Sequence, residues 1–222
     1  MPTQPKLFTE RLILRPFQHE DSERVALLAG EKIIADMTAN IPHPYELPMA
    51  KTWIDGHASM YKERRGVVYA ITLRESGKLL GAVSIPRVED GYGTLGYWLG
   101  VPYWGKGYAF EATSALIEFA RVDFELAGIK VRHLVENQRS KSVINKLNVP
   151  YVENTWVGPK GAEREVCVYQ KTFVCLVLKY VDSFSLSQLP QQLAFFMHLI
   201  WGSHPETKVR PHIVIDTNGL LY

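Results

Sequence analysis

The spacing of hydrophobic positions changes along this chain, and each change marks an element. In "LFTERLILRPF", Leu12 and Leu14 alternate with Arg11, Ile13 and Arg15, the period of a strand, and Pro16 ends it. In "EDSERVALLAG", Val25, Leu28 and Ala29 fall on one helical face, with Gly30 as the stop. "IPHPYE" reads as rigid loop, because Pro42 and Pro44 fix the backbone. "PMAKTWIDGHASMYKERRG" reads as one helix, opened by Pro48 and closed by Gly66. Strands are predicted at Val67–Leu73, Lys78–Ile85 and Gly93–Gly100, the first two joined by the turn "RESG". A helix from about Ala109 to Phe124 would bury Ala112, Ala115, Leu116, Phe119 and Ala120. "IKVRHLVE" is strand-like. "SKSVINKLN" is a short helix with Ser140 as its N-cap and Asn148 in the left-handed position after it. "YVENTW" and "REVCVYQ" form a last antiparallel pair. The resulting order, β-α-α-β-β-β-α-β-α-β-β through about Thr172, predicts an α+β sheet with helices on both faces rather than a doubly wound parallel fold.

Residues 173–222 continue none of these periods and are set apart as a C-terminal extension of residues 1–172. Its aliphatic and aromatic residues leave three readings open: packing on the domain, formation of a homodimer, or sequence unrelated to the domain. Composition narrows the rest. The 222 residues are 46% hydrophobic and 22% charged with a net charge of +2, a globular balance with no basic stripe for nucleic acid. The "KERR" run, Lys62 to Arg65, reads as a solvated helix end. Apolar runs such as "LAFFMHLIW" are too short to span a bilayer, and a cytoplasmic protein with no membrane partner is expected. The two cysteines, Cys167 and Cys175, lack metal spacing and read as buried free thiols; no metal is expected.

The stretch "YWGKGYAFEA" carries the chemistry. Gly105 and Gly107 could simply shape a turn between strand and helix. They could also let backbone N–H groups face outward together, at the positive end of the following helix dipole. The second arrangement favours an anion such as a pyrophosphate. A Walker loop is excluded because Tyr108 follows Gly107, and a Rossmann fingerprint because Phe110 occupies the third glycine position.

With "TERLILRPF" before it and "ENQRSKSVINKLN" after it, this stretch resembles the GNAT superfamily of acetyl-CoA-dependent N-acetyltransferases, in the branch of the ribosomal-protein N-terminal (alanine) acetyltransferases. The likeness covers about residues 6–172. It implies a GNAT-like mixed, mostly antiparallel sheet flanked by helices, with acetyl-CoA as cosubstrate. It implies that Trp104, Gly105, Lys106, Gly107, Tyr108 and Ala109 wrap the CoA pyrophosphate, with Trp104 standing where the family pattern begins with Gln or Arg. It implies that the backbone of Leu99, Gly100 and Val101 pairs with pantetheine, one N–H polarising the thioester. Asn137 would lie against the cofactor and Ser140 near its sulfur. One departure is Asn148-Val149 where the family usually has Gly-Phe.

The implied reaction is direct attack of a primary amine, a peptide N-terminus or a small molecule, on the thioester. Ser140 is the first choice for protonating the departing thiolate, although it also suits a helix cap. Tyr97 and Tyr108 are the alternatives. Leu95, Tyr97 and Leu99 share one sheet face by alternation. Glu89, Asp90 and His43 are weak choices for the base, and ordered water could serve. Ile41, His43, Tyr45 and Trp53 would shape the acceptor side, with core packing as the competing role for the apolar three. Glu111 suits a structural role at the helix dipole. A non-catalytic acyl-CoA-binding or dimerising module is the alternative to an enzyme.

Overall fold

The computed structural model describes residues 3–173. Among them nine strands form one sheet and six α-helices cover it. In chain order these are β1 (Leu7–Phe8), β2 (Leu12–Arg15), α1 (Ser22–Ala29), α2 (Lys32–Met37), α3 (Leu47–Asp55), α4 (His57–Lys62), β3 (Val67–Leu73), β4 (Leu79–Ile85), β5 (Val88–Glu89) and β6 (Tyr92–Leu99), then α5 (Tyr108–Asp123), β7 (Gly128–Leu134), α6 (Gln138–Lys146), β8 (Tyr151–Val157) and β9 (Arg164–Thr172). The strand order is β1-β2-β3-β4-β6-β7-β9-β8, with β5 paired to β6. Every pairing is antiparallel except β6 with β7. The mixed α+β architecture read from the sequence is the one observed.

Register explains the layers. Leu14, Ile71, Gly81 and Leu99 lie opposite one another across four strands, as do Tyr69, Val83 and Tyr97. Side chains alternate along a strand, so these residues share one face. Ala112, Leu116 and Ala120 of α5 pack on that face in the larger core. Leu116 is fully buried, and truncating it to alanine costs about 2–5 kcal/mol. Arg15, Ala70, Ala82 and Trp98 form the opposite row. On that side Val25 of α1 and Ala50 and Ile54 of α3 close a smaller core with Ala70 and Leu79.

Four details depart from the sequence reading. The predicted helix from Pro48 to Gly66 is two helices broken at Gly56, and it ends at Lys62 because Arg64 turns left-handed at φ 55°. Helix α2 was not anticipated: it has six residues, of which only Ile34 is buried, too short for a period to show. Strand β5 hides inside the "VEDGYG" turn as two residues. In α5, Ala115 and Phe119 are half-buried and Thr113 takes a buried place in the stripe. The "KERR" residues are all exposed, and Asn148 sits at φ 52°, as expected. Cys167 is a free, half-buried thiol. Cys175 and the extension from residue 174 onward lie outside the described residues.

Candidate active site

The site begins where the sheet opens. Strands β6 and β7 pair only from Tyr92–Leu95 to Gly128–Val131. Beyond that, β6 runs on to Leu99 against β4 and β7 to Leu134 against β9, leaving a gap between them. Gly100 N–H donates to Leu80 O on β4 at 2.9 Å. Antiparallel strands alternate the direction of their backbone groups, so those of Leu99 point the other way, into the gap. The indole N–H of Trp104 donates to Leu99 O at 2.6 Å. The Leu99 N–H is left aimed at the opening.

The glycine loop lies at the end of β6. Gly105 sits at φ 74° and Gly107 at φ 82°, conformations that suit glycine. A Cβ on Gly105 would meet nothing within 4 Å, so that side of the loop is open. Gly107 is the N-cap of α5, and the first helical bond runs from Glu111 N to Gly107 O at 3.1 Å. The N–H groups of Tyr108, Ala109 and Phe110 therefore lack intrahelical acceptors. Outward N–H groups and the helix dipole together fit a diphosphate. Trp104 also carries the guanidinium of Arg139, 4.6 Å from its ring centroid. Arg139 comes from α6, so a cation reaches the loop from across the gap.

Behind the loop, Glu111 accepts hydrogen bonds from Thr9 Oγ1 at 2.6 Å, Arg11 N at 2.8 Å and Arg11 Nε at 2.7 Å. Burial alone would raise its carboxyl pKa, but these bonds outweigh burial and hold it below the ordinary carboxylate value. Glu111 is structural, as the sequence suggested.

On the other lip of the gap, the order of residues at α6 differs from expectation. Asn137, not Ser140, caps the helix: its Oδ1 accepts from Ser140 N at 3.0 Å, and its Nδ2 donates to Met37 O at 2.9 Å. The cap starts three residues early because the asparagine side chain reaches the N–H of the third helical residue. This frees the Ser140 hydroxyl, which lies 2.8 Å from the Tyr97 hydroxyl. Tyr97 thus faces the α5–α6 side, with Leu95 and Leu99. Burial pushes its phenol up to about 12, against a lowering by Ser140. Tyr97 stays protonated at neutral pH and can pass a proton to or through Ser140.

Residues 11–149, well over half of the 222-residue chain, match the family described as Acetyltransferase (GNAT) domain. The chain is a GNAT acetyltransferase. Over 144 residues it is 27% identical to the uncharacterized N-acetyltransferase p20 of Bacillus licheniformis, covering 64% of this chain and 80% of p20. Its fold is similar to that of RimL, the ribosomal L7/L12 α-N-protein acetyltransferase solved with coenzyme A, at TM-score 0.68 and 15% identity over 76% of this chain and 98% of RimL. It is also similar to a ribosomal-protein-alanine acetyltransferase of Vibrio fischeri, at TM-score 0.66 and 19% identity over 76% and 97% of the two chains. As a GNAT enzyme it is an acyltransferase with acetyl-CoA as cosubstrate. Among the described residues no cluster of His, Cys, Asp or Glu could hold a metal ion, and no helix is long and apolar enough to cross a membrane.

The remaining predicted residues of the acetyltransferase lie on the opposite sheet face or away from the gap. Tyr45 and Trp53 pack with Trp98 on the smaller core and, with Pro42, Pro48, Met49 and Thr52, line a shallow depression. Ile41 is half-buried in the loop leading to it. His43 is exposed, and its Nδ1 lies 3.1 Å from Gly30 O. A carbonyl only accepts, so Nδ1 carries the proton and neutral His43 presents Nε2 as a lone pair. Glu89 and Asp90 are exposed on the β5–β6 turn. A strand rises about 3.3 Å per residue, which puts that turn about 20 Å from Tyr97 and out of the chemistry. The sequence reading overlooked Arg139 and gave Arg11 no role. Neither belongs to a recognisable spacing: each meets the glycine loop only through the fold.

Proposed function

We propose that this acetyltransferase moves the acetyl group of acetyl-CoA to a primary amine, a protein N-terminus or a small-molecule amine, by direct attack. The observation that carries the reading is the gap between β6 and β7, with Tyr97 and the Leu99 N–H on the β6 lip and Ser140, 2.8 Å from the Tyr97 hydroxyl, on the α6 lip. Trp104 to Ala109 hold the pyrophosphate through backbone N–H groups. The backbone of Leu99 and Val101 pairs with pantetheine, whereas Gly100, named with them in the sequence reading, is committed to Leu80 O and Tyr103 N–H and holds the turn between them. A donor on that backbone stabilises the oxyanion that forms when the amine nitrogen bonds to the carbonyl carbon. As the C–S bond breaks, Ser140 gives its proton to the thiolate and Tyr97 replenishes it. The amine loses its proton to water or to His43. Asn137 positions Ser140 from the cap and anchors α2 beside the cofactor channel. Ile41, His43, Tyr45 and Trp53 shape the amine's approach from the opposite sheet face. The likeness to RimL, a ribosomal L7/L12 α-N-protein acetyltransferase, and to the Vibrio fischeri ribosomal-protein-alanine acetyltransferase supports a peptide N-terminus as acceptor. All of these groups come from residues 1–172, read as the acetyltransferase domain.

The test is CoA release from acetyl-CoA with a panel of N-terminal peptides and small amines. Ser140→Ala is expected to lower kcat about a hundredfold, the lower end of general-acid effects, and Tyr97→Phe, one proton step removed, about tenfold. An unchanged kcat in Ser140→Ala removes that residue from the mechanism. Tight acetyl-CoA binding without turnover of any amine would favour the non-catalytic module.

A further inference from the structure

The "TERL" segment is distant from the glycine loop in sequence, yet its arginine reaches that loop. Arg11 is held by Glu111 through its backbone N–H, its Nε and its Nη2, the last at 2.7 Å. Thr9 Oγ1 donates to the same carboxylate and accepts from Leu12 N at 3.0 Å, fixing the turn from which Arg11 extends. So restrained, the guanidinium lies 4.7 Å from the Tyr108 ring centroid, and its Nη1 donates to Lys106 O at 2.9 Å. A Cβ on Gly107 would come within 3.3 Å of Nη2, so arginine and glycine are fitted to each other.

The bond to Lys106 O has a directional result. The C=O of Lys106 and the N–H of Gly107 belong to one trans peptide and point in opposite directions. Holding that oxygen against Arg11 turns the Gly107 N–H to the loop's outer side. It also keeps a carbonyl dipole from facing an incoming anion. With Gly105 and Gly107 both at positive φ, this peptide plane has few other restraints. We infer that Arg11, fixed by Thr9 and Glu111, is a positioning residue that aims the Gly107 N–H at the pyrophosphate of acetyl-CoA. The inference rests on the proposal that this loop binds that group.

The experiment compares wild type with Arg11→Gln and Arg11→Lys. CoA binding is measured by calorimetry, steady-state rates with acetyl-CoA and with acetyl-pantetheine (a donor lacking the pyrophosphate), and folding by thermal melting. Arg11→Gln is expected to weaken CoA binding and raise the acetyl-CoA KM about tenfold, equivalent to about 1.4 kcal/mol. Its kcat, its amine KM and its kcat/KM for acetyl-pantetheine should stay within about twofold of wild type. Arg11→Lys keeps the charge but cannot span Glu111 and Lys106 O together, so it should show at least half of the loss on a logarithmic scale. It also provides a folded comparison if Arg11→Gln melts early. Unchanged CoA affinity in both variants overturns the inference while leaving the acetyltransferase reading intact. So does an equal loss with acetyl-CoA and acetyl-pantetheine, which would mark general structural damage. A wild type that binds no CoA overturns the functional reading and the inference with it.

Discussion

The loop of residues 104–107 and the loop of residues 38–46 lie on opposite faces of the sheet, and they are held differently. The first is pinned along its length: Trp104 Nε1 to Leu99 O, Arg11 to Lys106 O, and two glycines in left-handed backbone. The second is anchored at its root. Arg164 of β9 donates to Ala35 O at 3.3 Å, Asp36 O and Thr38 O at 3.2 Å, and pairs with Glu136 at 2.8 Å. Asn137 adds its bond to Met37 O. Beyond the root, prolines and the His43–Gly30 contact shape a largely exposed segment. Under the proposed function the first loop recognises an anion with its backbone N–H groups, which requires one fixed backbone. An acceptor pocket is made by side chains, and it tolerates a frame held at one end.

The sharpest break in this contrast is expected at Gly107. Valine there must adopt φ 82° and place its Cβ 3.3 Å from Arg11. Left-handed strain of about 1–3 kcal/mol would distort the anion loop and weaken CoA binding ten- to a hundredfold, measured by calorimetry. Amine KM should change little, since the acceptor loop is anchored separately. Equal losses for both substrates would show that the two loops are one mechanical unit.

Arg164→Gln is the reciprocal test. It removes the charged donor from three carbonyls, and the amine KM should rise about fivefold, or about 1 kcal/mol, with CoA affinity preserved. Peptide and small-amine kinetics at saturating acetyl-CoA would detect it.

The smallest effect at neutral pH concerns His57, which packs against Trp53 of the proposed acceptor side. It is 5% exposed, both ring nitrogens lack partners among the described residues, and it packs 4.5 Å from Trp53 and 5.5 Å from Phe17. Desolvation pushes its pKa down to about 4. An unfolded chain takes up this proton near the ordinary value of about 6.5, whereas the folded chain refuses it. Stability is therefore full above about pH 6.5, falls as the pH drops toward about 4, and loses nothing more through this group below that. The loss is of order 3 kcal/mol. His57→Leu should change activity at pH 7.5 by less than twofold and flatten the plot of melting temperature against pH between 6.5 and 4. A variant as acid-sensitive as wild type would assign that slope to other groups.

Legibility in the sequence follows the same division. Strand β3 and the α5 helix are readable because a continuous β-branched and aromatic run and a buried stripe persist for seven and sixteen residues. The glycine loop is readable because few residue types tolerate its backbone. The cap of α6 is misread because Asn137 and Ser140 both belong to the cap-forming class, and only the fold decides which one reaches the free N–H. The break at Gly56 is invisible for a related reason: glycine inside a helical pattern usually only weakens it. Arg11 and Glu111 stand 100 positions apart, so their pairing has no local signature.

The parting of β6 and β7 has a consequence for the protein in the cell. Unsatisfied strand edges invite pairing with other chains. Here two such edges face each other inside the sheet, and pantetheine, read as an added strand, would cover one of them. Ligand that binds only the folded state stabilises it by mass action, so a hundredfold excess over Kd contributes about 2.7 kcal/mol. The abundance of this acetyltransferase would then follow the supply of its own cosubstrate: a fall in the CoA pool would leave more of the chain open to aggregation and proteolysis.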